Sequence, residues 1–262
     1  MRPNPSLDES RRAGVRSVPV TRPLAWLAAG WRDMRRSPGP ALLQGGTLAL
    51  FGIVLALVAR GEFWLLAGAF SGFLLVAPVL ATGLYAVSRA LARGQPAGLG
   101  AALDAWRPRD GRMVAFGLLL ALAGTGWVLT SASLITGFAA APVRNPADFL
   151  HVVVLRENSM LFEVWLLLGG VLAAPMFASS VVAIPLLLDR RISVMGAVLT
   201  SWRAVMANPV PLALWAALIM VLTLAGMATG MIGLVFLQPL LGHASWHAYV
   251  DLVDSSGLPL QT

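Results

Sequence analysis

The chain contains no cysteine and no lysine, three histidines in all, and only 12% charged residues. Without cysteine there is no disulfide, no thiolate nucleophile, no cysteine-ligated zinc and no iron-sulfur cluster. The scarcity of charge excludes more. Soluble domains carry roughly 25% charged residues, and a soluble core could not absorb the apolar surface that comes with 58% hydrophobic residues and a mean hydropathy of +0.77. Also missing are a Gly-rich phosphate loop, a nucleophile elbow, a metalloprotease helix and a carboxylate pair. The expectation is a non-enzymatic protein that takes no cofactor.

What is present is a series of apolar runs, several well beyond the roughly 18 residues that mark a bilayer span. Span one is read at about 41–59 and span two at about 63–87, joined only by Arg60, Gly61 and Glu62. Span three covers about 113–139, and span four about 161–188 after a polar loop. The run from Val210 to Leu241 is too long for one span and short for two. Gly226, Gly230 and Gly233 in its middle favour a division into spans five and six, with five spans as the alternative. Residues 1–21 show no periodicity and read as a disordered cytoplasmic arm. Residues 22–250 form one transmembrane domain, and 251–262 a polar tail. About 40 residues precede the first apolar run, so no signal peptide is expected.

The net charge of +7 would suggest nucleic acid in a soluble protein, but here the arginines cluster beside spans, so no nucleic acid is expected. Eight lie before span one (Arg2, Arg11, Arg12, Arg16, Arg22, Arg32, Arg35, Arg36). Five lie between spans two and three (Arg89, Arg93, Arg107, Arg109, Arg112), and three follow span four (Arg190, Arg191, Arg203). Only Arg60, Arg144 and Arg156 fall on the other side. The positive-inside rule makes the arginine-rich side cytoplasmic, which places the N-terminus inside.

One phrase recurs three times before an apolar run: LAAGWR ending at Arg32, AALDAWR at Arg107 and AVLTSWR at Arg203. Aligned on Trp31, Trp106 and Trp202, apolar residues match at seven positions earlier (Leu24, Leu99, Met195), four earlier (Leu27, Ala102, Val198) and three earlier (Ala28, Leu103, Leu199). That spacing is one stripe of a helix. Ser37-Pro38 and Asn208-Pro209 then punctuate the chain alike. The expectation is an internal repeat in which amphipathic helices lie in the cytoplasmic headgroup layer, with Trp31, Trp106 and Trp202 at the interface and Arg32, Arg107 and Arg203 reaching lipid phosphates. The bland alternative is that Trp and Arg flank spans in most membrane proteins.

Val15-Arg16-Ser17-Val18-Pro19, Pro23-Leu24-Ala25-Trp26-Leu27 with Gly30-Trp31-Arg32-Asp33, and Gly242-His243-Ala244-Ser245-Trp246-His247-Ala248-Tyr249 resemble a family of uncharacterised proteobacterial inner-membrane proteins, domain-of-unknown-function family 2189. The resemblance implies a multi-pass inner-membrane protein and no particular activity. A haem-copper oxidase core, which needs six His ligands, is excluded by count.

Among individual residues, the four-residue spacing of His243 and His247 puts both imidazoles on one helix face, so a metal or haem site is conceivable. The competing reading is an interfacial belt with Trp246 and Tyr249. Gly68 with Gly72, and Gly226 with Gly230, have the small-residue spacing of close helix packing. Glu163 near the outer end of span four reads as a snorkelling carboxylate. Gln44 is expected to bond to a neighbouring helix. Thr125, Thr130, Ser131, Ser133 and Thr136 serve packing or line a polar path.

The composite expectation is an all-α integral membrane helical bundle with six spans and three cytoplasmic interfacial helices. It would be a scaffold or accessory component whose partners are membrane lipids, a second copy or other inner-membrane proteins. A transporter or channel for a small uncharged or lipid-like substrate is the runner-up.

Overall fold

The computed structural model describes residues 5–58, 81–105, 111–157 and 159–261. The described residues of Met1–Leu50, Pro78–Phe116 and Phe177–Thr262 make one compact unit, and those of Phe51–Ala77 and Gly117–Met176 a second.

The helices in chain order are α1 Pro5–Arg12, α2 Arg22–Arg36, α3 Pro38–Val58, α4 Thr82–Ala92, α5 Leu99–Ala105, α6 Arg112–Phe138 and α7 Pro146–Phe149, which runs into a π-helical turn at Leu150–Val154. Then come α8 Leu161–Ser180, α9 Ala183–Asp189, α10 Val194–Ala207, α11 Pro209–Ala228 and α12 Leu234–Leu252. Among the described residues, α3, α6, α8 with α9, and α11 are long and apolar enough to cross a membrane. Spans one, three, four and five of the sequence reading fall on them. Most of span two, with Gly68 and Gly72, lies outside the described residues.

The long run after Val210 breaks where its glycines predict. α11 ends at Ala228, and Gly230 (φ 66°) and Met231 (φ 73°) take left-handed conformations that only glycine adopts without cost. The Thr229 hydroxyl donates to the Gly226 carbonyl and accepts from the Gly233 N–H, both at 2.8 Å. The glycine pair therefore divides its labour. A side chain on Gly226 would collide with Leu234 at 2.6 Å, whereas Gly230 faces open space and serves the turn, which corrects its assignment to helix packing.

α12 is the hub of the first unit. A Cβ on Gly30 of α2 would stand 2.7 Å from the Ala244 backbone nitrogen, and one on Gly242 of α12 would stand 2.7 Å from Leu84 of α4. Gly45 of α3 rests against the Val235 carbonyl. Three helices thus approach α12 closely because glycine stands at each crossing. Buried Trp26 meets buried Trp215 of α11 edge to face, with ring centres 5.7 Å apart.

The ends of the chain correct two expectations. The arm read as disordered folds into α1, packed on α10, and into strand β1 Gly14–Val15. β1 pairs antiparallel with β2, Val253–Asp254, in the segment read as a polar tail. Thr200 donates to the Ser10 hydroxyl at 3.1 Å, and Asn208 accepts from the Val18 N–H and donates to the Arg16 carbonyl. At the other end, Leu258 is buried and the Gln261 N–H bonds to the Asp189 carbonyl. These segments have little apolar surface of their own, so their order comes from distant partners, about 190 to 240 residues away for the N-terminal arm and about 70 for the last residues.

In the second unit, Ile135, Val143, Val153 and Leu161 form a small core. Trp165 stands beside Trp127 and Phe149, with ring centres 5.7 and 5.4 Å away, and donates to Ser131 at 2.6 Å. Thr125, Thr130 and Thr136 bond back to carbonyls of their own helix one turn earlier, so only Ser131 reaches a neighbour through a hydroxyl among the bonds seen here.

Candidate membrane-interface site

α2 and α10 each carry two faces. On α2, Pro23, Trp26, Ala29, Gly30, Asp33 and Met34 point inward. On α10 the inward set is Gly196, Ala197, Thr200, Ser201 and Ala204. The stripe recognised in the sequence is the other face. Leu24, Leu99 and Met195, each seven residues before its tryptophan, are 56%, 45% and 57% exposed, and Trp31 and Trp202 are 46% and 39% exposed. Leu103 on α5 and Met206 on α10 extend the same faces. Stripes of this size turned outward are unusual for helices in water and suit helices whose solvent is partly lipid. Trp106 and Arg107 lie outside the described residues.

The arginines after the tryptophans do not behave alike. Arg32 is exposed with neighbours Arg35 and Arg36 on the same exposed side of α2. Arg203 is exposed as well, but it donates to the Ser10 and Ala13 carbonyls at 2.5 and 3.3 Å. Its charge closes the C-terminal end of α1, a favourable place for a cation. Arg203 thus makes a structural contact that the expected phosphate role does not include.

Beneath α2 lies a set of polar contacts that sequence reasoning missed. Arg22 holds Asp251 through two bonds of 2.5 and 3.1 Å, and the Trp26 indole donates to the same carboxylate at 2.7 Å. The His247 Nε2 lies 2.8 Å from Asp33, which is buried. Burial alone would raise the Asp33 pKa, but hydrogen bonds from His247 and Ser88 and the charge of His247 outweigh it and hold the carboxyl below its usual value. A second hub forms at the end of α9. Buried Asp189 accepts from Arg93 of α4 at 2.8 Å and from the Tyr249 hydroxyl of α12 at 3.0 Å.

His243 and His247 bond to different side chains, although the Ser88 hydroxyl beside His243 also reaches the Asp33 carboxylate beside His247. His243 turns to α4, where its Nδ1 lies 2.8 Å from the Ser88 hydroxyl, while His247 turns to Asp33 on α2. Among the described residues no group of three or more His, Asp or Glu side chains is placed to hold a metal ion. The same-face spacing is real, but α12 is flanked by two helices and each histidine meets a different one. Glu163 is exposed, in keeping with a snorkelling carboxylate. Gln44 is buried, with no partner for its Nε2 among the described residues.

Four apolar helices of spanning length, fitted with helices that expose an apolar stripe, define a multi-pass integral membrane protein of all-α build. Residues 65–189 match the family model described as a predicted integral membrane protein, DUF2189, in agreement with the resemblance carried by the sequence. No curated protein and no solved structure matches the chain.

Proposed function

We propose that this is a six-span protein of the bacterial inner membrane, N-terminus inside, in which three repeated units close a ring. Each unit consists of an interfacial helix, a span and an inner helix of the first compact unit: α2, α3 and α4; α5, α6 and α9; α10, α11 and α12. We assign it a non-enzymatic role as a scaffold or accessory component that meets lipids and partner membrane proteins through the interfacial helices. The observation that carries this reading is the outward apolar stripe at matching positions in α2, α5 and α10.

The ring rests on further geometry. The interfacial helix of each unit packs on the inner helix of the preceding one: α5 on α4, α10 on α9, and α2 on α12, which closes the circle. The inner helices α4, α9 and α12 touch one another. Six residues after each aligned tryptophan stand Ser37, Arg112 and Asn208, and each bonds the backbone leading into another unit's interfacial helix. Ser37 donates to the Ala97 carbonyl at 2.5 Å, Arg112 to the Ile192 carbonyl, and Asn208 to the Arg16 carbonyl at 2.9 Å. Ser37 and Asn208 also share a backbone conformation, φ −136° and ψ 72° against φ −135° and ψ 52°. Each precedes a proline that opens a span.

α11 and α12 have 20 and 19 residues, or about 30 and 28 Å of helix, which suits a hydrocarbon core of about 30 Å. That length supports six spans and a cytoplasmic C-terminus. On α12, Asp251 and His247 bond to α2, His243 to α4 and Tyr249 to Asp189 of α9. Transport finds less support, since the threonines of α6 satisfy themselves within their own helix. Replacing Trp31, Trp106 and Trp202 together with alanine should disturb membrane packing or the complexes recovered from native membranes; complexes of unchanged composition would overturn the scaffold reading.

A further inference from the structure

We infer that the C-terminal turn of α2 is a binding site for the phosphate groups of anionic phospholipids, formed by Arg32, Arg35 and Arg36 beside Trp31, and that the matching surface of α10 is not. This rests on the interfacial placement proposed above and adds the headgroup class and the unit that reads it.

Arg32, Arg35 and Arg36 are related by three and four positions, so their side chains emerge as neighbours, with roughly 5 to 6 Å between Cβ atoms. All three are exposed. Between Glu9 and Glu62 the sequence holds one acid, Asp33. That acid is turned inward and occupied by His247, so among the described residues α2 itself carries no acid on this face to compensate the three cations. Like charges at this spacing repel one another, and a phosphate accepting from two or three guanidinium groups reverses the sign of that interaction.

The position along the chain fits the headgroup layer. α3 opens at Pro38, two residues after Arg36, and its first exposed apolar residues are Leu42 and Leu43. About 9 Å of chain separates Arg36 from Leu42 at helical rise, so lipid tails at Leu42 place headgroups beside the arginines. Leu24 and Trp31 supply the apolar edge of the same face.

α10 provides the internal contrast. Where α2 has Arg35 and Arg36, four and five residues after its tryptophan, α10 has Met206 and Ala207, and its last turn carries no base. Its one arginine, Arg203, is committed to the carbonyls of α1. One copy of the pattern carries three exposed arginines, and the other a single arginine bonded to α1.

The test uses the full-length protein in nanodiscs of phosphatidylcholine with 20% phosphatidylglycerol, lipid retention being read by native mass spectrometry. The R32Q/R35Q/R36Q variant should retain about tenfold less phosphatidylglycerol than the parent, since each basic residue at a charged surface contributes several-fold. The R11Q/R12Q variant removes two exposed arginines from α1 and should retain it as the parent does. Equal retention by the triple variant, or an equal loss in R11Q/R12Q, would overturn the site. The absence of native cysteine allows Leu24→Cys to be labelled alone. If that cysteine reacts only with water-soluble maleimide, the interfacial placement fails and takes this inference with it. If it is shielded by lipid while the triple variant still retains phosphatidylglycerol, only the headgroup site fails.

Discussion

α2 and α10 start from the same pattern of apolar residues and tryptophan, yet they are fastened to the molecule by different chemistry. α2 is held to α12 by a Gly30 crossing and by charge: Arg22 with Asp251, Trp26 with Asp251, and His247 with Asp33. α10 is held to α1 by small residues and by bonds between a charged and a neutral group rather than by ion pairs: Gly196, Ala197 and Ala204 are buried, Thr200 bonds to Ser10, the Glu9 carboxylate accepts from the Ser193 N–H, and Arg203 donates to the Ser10 and Ala13 carbonyls. The outward stripes match and the inward faces do not. A helix that lies between lipid and protein is constrained by the bilayer on one side, while its protein-facing side is free to adopt whatever the neighbour provides.

That contrast can be broken at several strengths. The largest effect is expected from Trp26→Ala, which removes a buried indole, its contact with Trp215 and its bond to Asp251; a loss of about 3 to 5 kcal/mol should appear in denaturant titration of the solubilised protein. Next comes Gly30→Val, which drives a side chain into the Ala244 backbone and should cost about 1 to 3 kcal/mol. Gly100→Val, at a glycine with open space around it, should be nearly silent in the same assay. Asn208→Ala should destabilise by about 1 to 3 kcal/mol because a buried group loses bonds to two neighbours, and Ser37→Ala, which loses one bond, by less.

Acid should separate the two helices more gently. The Asp33 pKa is lowered in the folded protein, so its contribution to stability is complete above the usual carboxylate value of 3.8 and is lost as pH falls below that, through the lowered value. Hydrogen exchange of α2 should therefore accelerate more than that of α10 below about pH 4, and Asp33→Asn should lessen the difference, Asp251 still holding Arg22 and Trp26. Equal acceleration in both helices would mean that charge is not what distinguishes them.

Much of this architecture was legible in the order of residues. Apolar length located α3, α6, α8 and α11, because a bilayer imposes a minimum run that no soluble segment needs. Gly226 to Gly233 marked the α11 to α12 turn, because the conformations at Gly230 and Met231 are set locally. The offsets from Trp31, Trp106 and Trp202 identified the outward stripe. What escaped the sequence was every pairing made across the chain. Arg22 and Asp251, or Asp33 and His247, lie more than 200 residues apart, and nothing local announces them. α1 and β1 were read as disordered for the same reason, since Ser10, Arg16 and Val18 find their partners on α10, at Leu252 and at Asn208. His243 and His247 mislead because helix periodicity gives a shared face but not the two helices that divide it.

The most direct measurement is the membrane depth and sidedness of single spin labels at Leu24, Leu99 and Met195 in the reconstituted protein. The account predicts that all three report the headgroup region of one leaflet, on the side of the N-terminus, at a common depth within a few ångströms. Labels that fall in opposite leaflets, or any one that reports mid-bilayer hydrocarbon or bulk water, would contradict it.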